Sequence, residues 1–255
     1  MTAISEHMGE GARIVTFGDS MSSQTYAGEL KELVREQGRR VIGYTYPGYT
    51  TEGLSKHLDQ ILGVKPDFIV ILAGTCDLDT AMNYLNFREM HEFISGKIPD
   101  YEGADSHYDE WLEAQCNRIA VEYMTPRLEK EVNSLFSRLV EFYSRCRQAG
   151  VEPVSVTIPS MALSHPKPFD FDYFEIHVPL TPSTRPQINE MIRNHCAEEN
   201  ISCVDLYAAT TDPTTGKMLE PLTHDGVHFN NEGSYLFASL VYDKLVPLME
   251  RGVLH

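Results

Sequence analysis

The segment 67–73, Asp-Phe-Ile-Val-Ile-Leu-Ala, is apolar at every position from Phe68 to Ala73. A strand with one face in water alternates apolar and polar side chains, so this run is typical of a strand covered on both faces, as in a parallel sheet. Parallel strands are joined by crossover segments, which are usually helices. The segment therefore favours an α/β fold with helices on both faces of a mostly parallel sheet.

The rest of the chain alternates strand and helix patterns in the way such a fold requires. Further strands are predicted at 13–17, 41–46, 154–158 and 201–206, and helices at 26–37, 54–62, 188–196 and 234–249. Thr125-Pro126 is predicted to open another helix that ends at Gly150, because proline is favoured in the first helical turn. All 255 residues are thus expected to form a single domain with a five-stranded sheet.

Two stretches interrupt this alternation. Residues 78–124 are an insertion rich in tyrosine, phenylalanine and acidic residues, with the only tryptophan, and 159–182 is a loop rich in proline and aromatic residues. Long segments of this kind often cover or wall a pocket. A surface subdomain without a functional role is equally compatible with the sequence.

Charge and cysteine content restrict the partners and the compartment. The formal net charge is −16, which argues against nucleic acid because phosphate binding needs clustered lysine and arginine. The longest apolar run is far too short to span a membrane, and the first residues lack the basic start and apolar core of a signal peptide. Five scattered cysteines without a Cys-x-x-Cys indicate free thiols, which predicts a cytoplasmic location. The predicted partner is a small-molecule substrate.

Chemically useful side chains follow the predicted strands. In open parallel sheets, ligands bind outside the carboxyl ends of the strands. The residues predicted at that edge are Gly18-Asp19-Ser20, Gly48, Gly74-Thr75-Cys76-Asp77 and, before the last helix, Asp225-Gly226-Val227-His228. A hydroxyl, an imidazole and a carboxylate at one edge are the set that acyl transfer needs.

Each of these groups has a physical role in such a reaction. His228 can take the proton of Ser20, since imidazole titrates near neutrality, and Asp225 can accept a hydrogen bond from the other ring nitrogen. Backbone N–H groups at Ser20 and Gly48 could bind the oxyanion of the tetrahedral intermediate. The chain has no His-Glu-x-x-His and no Gly-x-x-x-x-Gly-Lys, so neither a zinc site of that type nor a P-loop is predicted.

The four blocks, in this order, resemble those of the SGNH (GDSL-type) hydrolase family of esterases and lipases. Within it the chain is most similar to cytosolic esterases of the isoamyl acetate-hydrolysing kind. The resemblance implies a three-layer α/β/α sandwich of flavodoxin-like type without a metal or other cofactor. It also implies that Ser20 is the nucleophile and an oxyanion donor, Gly48 a second donor, His228 the base and Asp225 its partner. The expected activity is hydrolysis of a carboxylic, short-acyl ester through an acyl-enzyme.

One position departs from the family pattern. Its third block, Gly-x-Asn-Asp, places an asparagine side chain in the oxyanion hole, where this chain has Cys76. A thiol is a weak donor. Catalysis is therefore slow, or a nearby group such as Thr75 substitutes, or the protein binds a ligand without turnover; a purely structural role for Cys76 also remains open.

Two other functions share this fold. A carbohydrate O-deacetylase would use the same triad on acetylated sugars, and an SGNH-fold binding protein would retain the fold without activity. The remaining histidines are interpreted as surface or core residues. His224 is included among them, although its position directly before Asp225 could also place it in the pocket.

Overall fold

A computed structural model describes residues 13–78, 96, 110–162, 170–171, 174–175 and 181–250. Its strands are β1 (Arg13–Gly18), β2 (Arg40–Thr45), β3 (Phe68–Leu72), β4 (Glu152–Val156), β5 (Asp170–Phe171), β6 (Phe174–Glu175) and β7 (Ser202–Val204). Its α-helices are α1 (Gln24–Leu33), α2 (Thr51–Leu62), α3 (Glu110–Gln148), α4 (Thr181–Glu198), α5 (Leu206–Thr210) and α6 (Asn231–Glu250). Short 3-10 helices lie at Arg35–Gln37 and Glu220–Leu222.

Five strands form one sheet in the order β2-β1-β3-β4-β7, and every pairing in it is parallel. This is the strand order of flavodoxin-like folds, in which ligands bind where the order reverses, between β1 and β3. Strands β5 and β6 form a separate antiparallel pair within the 159–182 stretch. The predicted three-layer fold with a five-stranded parallel sheet is confirmed.

The sheet separates two hydrophobic cores. Alternate side chains of β3 point to opposite faces: Ile69 and Ile71 pack with α2, α3 and α4, while Val70 and Leu72 pack with α1 and α6. Each helix contributes an apolar stripe to one of the two cores, as the sequence periodicity predicts. The consecutive apolar residues of this strand are therefore explained by helices on both faces.

Gly18 sets the approach of β1 to β3 at the carboxyl edge of the sheet. Its Cα pairs with Thr45 of β2 and Leu72 of β3. A Cβ at this position would lie 1.7 Å from the Leu72 carbonyl oxygen and 2.5 Å from Ser22 Oγ. Only glycine fits here, so Gly18 brings the residues that follow β1 next to those that follow β3.

The structure corrects one helix boundary. The helix predicted to begin at Thr125-Pro126 begins at Glu110, and Pro126 lies within it. Proline in a helix interior removes one backbone hydrogen bond, but Pro126 is exposed, and water can bond a carbonyl left without a partner at an exposed face. The C-terminal part of the 78–124 insertion is thus helical. The rest of that insertion and most of the 159–182 loop lie outside the described residues, so their functional role stays a prediction.

The sequence predicts free thiols and no membrane-spanning segment. Cys76, Cys146, Cys196 and Cys203 are free thiols. No helix in the described part of the chain is long and apolar enough to cross a membrane.

Candidate active site

Ser20 lies in the turn between β1 and α1. The turn is closed by a hydrogen bond of 3.0 Å from the Ser22 N–H to the Asp19 carbonyl oxygen. Ser23 then caps α1, because its side-chain oxygen accepts from the Tyr26 N–H at 3.2 Å. The nucleophile candidate is therefore held between a buried strand and a capped helix, and it is partly exposed.

The structure brings Ser20, His228 and Asp225 together in one hydrogen-bonded chain. Ser20 Oγ and His228 Nε2 are 3.0 Å apart, and His228 Nδ1 and Asp225 Oδ2 are 2.6 Å apart. In a neutral imidazole one nitrogen donates and the other accepts. The carboxylate can only accept, so Nδ1 donates to Asp225 and Nε2 is left to accept from the serine hydroxyl.

Asp225 and His228 lie on a short, cross-braced loop between Thr223 and Phe229. The Thr223 hydroxyl donates to the His228 carbonyl oxygen at 2.8 Å and accepts from the Gly226 N–H at 2.9 Å. An isolated antiparallel bridge joins Thr223 to Phe229. These bonds fix the loop backbone, so the histidine ring is oriented before a substrate binds.

The carboxylate of Asp225 is held in its charged form. Partial desolvation alone would raise its pKa, but hydrogen bonds from the His228 ring and from the backbone N–H groups of His228 and Val227 lower it to about 2. Those N–H groups lie 2.6 and 2.9 Å from Oδ1. Asp225 is therefore an acceptor throughout the pH range in which a histidine base titrates.

A second carboxylate, Asp19, lies beneath the site. It is fully buried and accepts N–H groups from Met21 and Thr75, each at 3.0 Å, and from Cys76. Burial raises the pKa of Asp19 to about 6, the nearby charge of Asp77 adds to the rise, and the backbone N–H groups oppose it. Asp19 thus ties the turn that carries Ser20 to the segment after β3.

Gly48 and the start of α2 follow β2 at the same edge. Gly48 has φ of +77°, a left-handed conformation that glycine adopts without strain. Three residues later, the Thr51 N–H and hydroxyl donate to Asp77 at 2.8 and 2.6 Å. Arg138 of α3 donates to Asp77 at 3.0 Å and to the Thr51 hydroxyl at 2.6 Å. This buried cluster fixes Gly48 relative to the segment that follows β3.

Cys76 lies in a helical turn that begins at Thr75 and is half-buried. The backbone N–H groups of Thr75 and Cys76 donate to Asp19, so only the side chains of these residues could contribute further donors. The Thr75 hydroxyl is buried and has no hydrogen-bond partner among the described residues. Because its hydroxyl is enclosed, Thr75 is the poorer substitute, and Cys76 is better placed to contact a ligand.

His224, interpreted from sequence as a surface or core residue, lies beside the triad. Its ring stacks on that of His228 with centroids 6.0 Å apart, and its Nε2 is 3.7 Å from Asp225 Oδ2. Sequence reasoning also gave no role to Asp19, Thr51 or Arg138. Only Asp19 carried a signal, since it stands between the glycine and the serine of the first block.

The sequence and the fold both match known proteins. A family model described as the GDSL-like lipase/acylhydrolase family matches residues 14–236. The chain belongs to this family. Its members hydrolyse carboxylic esters, and the GDSL-like chain described here is a carboxylic ester hydrolase. The binding-protein interpretation is correspondingly disfavoured. No curated protein matches the chain by sequence.

Similar solved structures share the fold of this GDSL-like hydrolase at low sequence identity. Axe2, an acetylxylan esterase from Geobacillus stearothermophilus, is 16% identical with a TM-score of 0.57, over 93% of this chain and 95% of that one. The acetyl xylan esterase AlAXEase is 15% identical with a TM-score of 0.59, over 92% and 100%. A GDSL-like lipase from Bacteroides thetaiotaomicron is 15% identical with a TM-score of 0.57, over 94% and 87%.

Proposed function

We propose that this protein hydrolyses a short-acyl carboxylic ester through an acyl-enzyme on Ser20. The observation that carries the proposal is the hydrogen-bonded chain from Ser20 Oγ through His228 to Asp225, with distances of 3.0 and 2.6 Å. A serine hydroxyl is a weak nucleophile until a base removes its proton, and this arrangement supplies the base and its orienting carboxylate.

In the first half of the reaction, Ser20 Oγ attacks the ester carbonyl while His228 Nε2 takes the serine proton. The carbonyl oxygen becomes an oxyanion, for which the backbone N–H groups of Ser20 and Gly48 and the thiol of Cys76 are the candidate donors. The C–O bond to the alcohol then breaks. His228 returns its proton to the departing alcohol, which leaves the acyl group on Ser20.

In the second half, water replaces the alcohol. His228 takes a proton from water as the water oxygen attacks the acyl carbonyl, and the same donors bind the second oxyanion. Collapse breaks the bond to Ser20 Oγ, which recovers its proton from His228. Asp225 stays ionised throughout and stabilises the positively charged imidazole that forms twice in the cycle.

The decisive experiment is intact mass after treatment with a fluorophosphonate, which reacts with activated serines. We expect one adduct on the wild-type chain and none on Ser20→Ala. Ser22→Ala is the matched control, since Ser22 is buried two residues away and donates to the Leu72 carbonyl oxygen at 3.3 Å. The control should still form the adduct. A folded wild-type chain without an adduct would refute an assembled, reachable triad.

A carbohydrate O-deacetylase is the second candidate, and an aromatic surface beside Gly48 favours it. Tyr49 follows Gly48 directly and is 43% exposed. Its ring is held against those of Tyr46 and His57, with centroids 5.6 and 5.7 Å away. Such a fixed, open ring can stack on the apolar face of a sugar. Two of the similar structures are acetylxylan esterases, which is in line with this candidate.

Tyr49→Ala distinguishes the two candidates. If the ring binds a sugar, the variant raises KM for acetylated xylo-oligosaccharides and leaves KM for a simple aryl acetate unchanged. An equal change for both substrates would assign Tyr49 a structural role and favour the simple ester. A wild-type chain that hydrolyses aryl acetates but not acetylated sugars would exclude the second candidate.

A further inference from the structure

The loop that carries Asp225 and His228 also brings together three side chains of types that bind transition metals. His224, Asp225 and His228 each offer one ligand atom, an imidazole nitrogen or a carboxylate oxygen, and these three atoms lie within 4.8 Å of one another. All three side chains are reached by solvent. Two imidazoles and one carboxylate, with a water as fourth ligand, are a common zinc set in proteins.

The orientation of His224 supports metal binding independently of this clustering. Its Nδ1 lies 3.2 Å from the Phe229 carbonyl oxygen, to which a neutral ring donates its single N–H. A histidine that binds a metal usually donates its other nitrogen to a carbonyl or carboxylate in this way. The lone pair of Nε2 then faces Asp225 Oδ2, another lone-pair atom, at 3.7 Å.

We propose that His224, Asp225 and His228 bind Zn²⁺ and that this binding inhibits the enzyme. Two ligands about 2.1 Å from one zinc ion at a tetrahedral angle are about 3.4 Å apart, close to the observed separation of His224 Nε2 and Asp225 Oδ2. Asp225 Oδ2 and His228 Nδ1 are 2.6 Å apart, which is shorter than this separation of two zinc ligands. They must move apart by less than about 1 Å for both atoms to bind the same ion. The loop's cross-bracing brings the ligands together before the ion arrives.

Inhibition follows from where the proton of His228 goes. In the triad, Nδ1 carries the proton and Nε2 accepts from Ser20. A zinc ion on Nδ1 needs the lone pair of that nitrogen, so the single ring proton moves to Nε2. Nε2 is then a donor and cannot take the serine proton. The ion also removes Asp225 from His228, so the base loses its orienting partner.

The binding test uses the Ser20→Ala chain, because it needs no catalysis. We expect calorimetry with Zn²⁺ to show one ion per chain, and Co²⁺ to give the visible absorption of a tetrahedral site. Adding His224→Phe, which preserves the ring but not its nitrogens, should weaken Zn²⁺ binding by about tenfold or more. Equal Zn²⁺ affinity with and without His224→Phe would overturn the proposal; should that variant not fold, His224→Ala takes its place.

The inhibition test rests on the proposed function and uses the wild-type chain. Zn²⁺ should inhibit ester hydrolysis and EDTA should reverse it, while Mg²⁺, which prefers oxygen ligands, should have no effect. The Zn²⁺ concentration for half-inhibition should rise about tenfold or more in His224→Phe, relative to that variant's own uninhibited rate. His195→Phe is the control, since His195 lies on α4 and packs against Phe136 and Tyr143 of α3.

These two experiments fail in different ways. An inactive wild-type chain that still binds one Zn²⁺ through His224 would refute the esterase proposal and leave the metal site standing. An active chain that Zn²⁺ inhibits equally with and without His224 would refute the metal site alone.

Discussion

At the scale of single residues, Asp19 makes stability depend on pH. Its pKa is raised to about 6 in the folded chain, against 3.8 for an ordinary aspartate. Between these two values the folded state binds more protons than the unfolded state, so stability falls as pH rises. The contribution of Asp19 is full below pH 3.8 and is lost above about pH 6.

We therefore expect the free energy of unfolding of the wild-type chain to fall, relative to Asp19→Asn, by about 2 kcal/mol between pH 4 and pH 7.5. The asparagine does not titrate, and its poorer match to the surrounding N–H donors adds an offset that is the same at every pH. Urea unfolding of both chains at four pH values measures the difference. A difference that stays constant with pH would contradict the raised pKa.

Cys76 limits the rate if it stands where an amide donor belongs. Replacing it with asparagine adds an N–H donor, and one oxyanion donor is worth about 10²–10³ in kcat. We expect Cys76→Asn to raise kcat for an aryl acetate by about tenfold or more, with a smaller change in KM. Cys76→Ser is the matched control, because it offers a hydroxyl of similar size to the thiol. A folded Cys76→Asn chain that is no faster would refute the oxyanion role of this position.

The site was predictable where chain position alone decides placement. Ser20, Gly48 and Cys76 follow parallel strands, and parallel strands end at one edge, so topology brings these residues together. The contacts of Asp19 and Arg138 could not be predicted. A buried carboxylate can accept from any N–H that reaches it, and Arg138 lies 61 residues after the Asp77 that it binds. Such pairs depend on how α3 packs, which periodicity does not specify.

At the scale of elements, Arg138 joins α3 to the segment that carries Cys76. Asp77 is 2% exposed, and among the described residues its other hydrogen bonds come from Thr51, so without the arginine it would be a buried charge with fewer partners. Breaking a buried ion pair by removing one partner costs about 3–5 kcal/mol. Because Arg138 is partly exposed, we expect Arg138→Met to lower the free energy of unfolding by about 3 kcal/mol.

Arg145 on the same helix provides the control for that prediction. It binds Asp59 at 2.5 Å, but Asp59 is 87% exposed, and such surface pairs contribute about 0–1 kcal/mol. Arg145→Met should therefore change stability by less than about 1 kcal/mol. Urea unfolding of both variants compares them directly. Equal losses would show that the Asp77 cluster does not stabilise the junction between α2 and α3.

Among the helices and strands, too, some were predictable from the sequence and others were not. All five sheet strands overlap the predicted segments, and the signal is strongest for β3, whose consecutive apolar residues are buried on both faces. Pro126 misled one helix boundary, because it lies inside α3 and not in its first turn. Local preference favours proline in a first turn, but it is a weak guide, and α3 extends on both sides of Pro126.

At the scale of the whole molecule, the net negative charge acts over distances longer than any single contact. The chain carries 37 acidic and 21 basic residues, for a formal net charge of −16. A summed charge of this size repels anions approaching the surface and attracts cations, and salt screens both effects. Association of a charged substrate should therefore depend on ionic strength even when the bonds made in the active site are the same.

A pair of esters isolates this effect: a neutral aryl acetate and the same acetate with a sulfonate on its ring. We expect kcat/KM for the anionic ester to rise severalfold when NaCl increases from about 10 mM to 500 mM, because the Debye length falls from about 30 Å to a few ångströms. The neutral ester should change little, which controls for effects of salt on folding and chemistry. Since long-range repulsion acts on encounter, the gain should appear in kcat/KM and not in kcat. An anionic ester with no salt dependence would mean that local positive charge at the site outweighs the field of the whole chain.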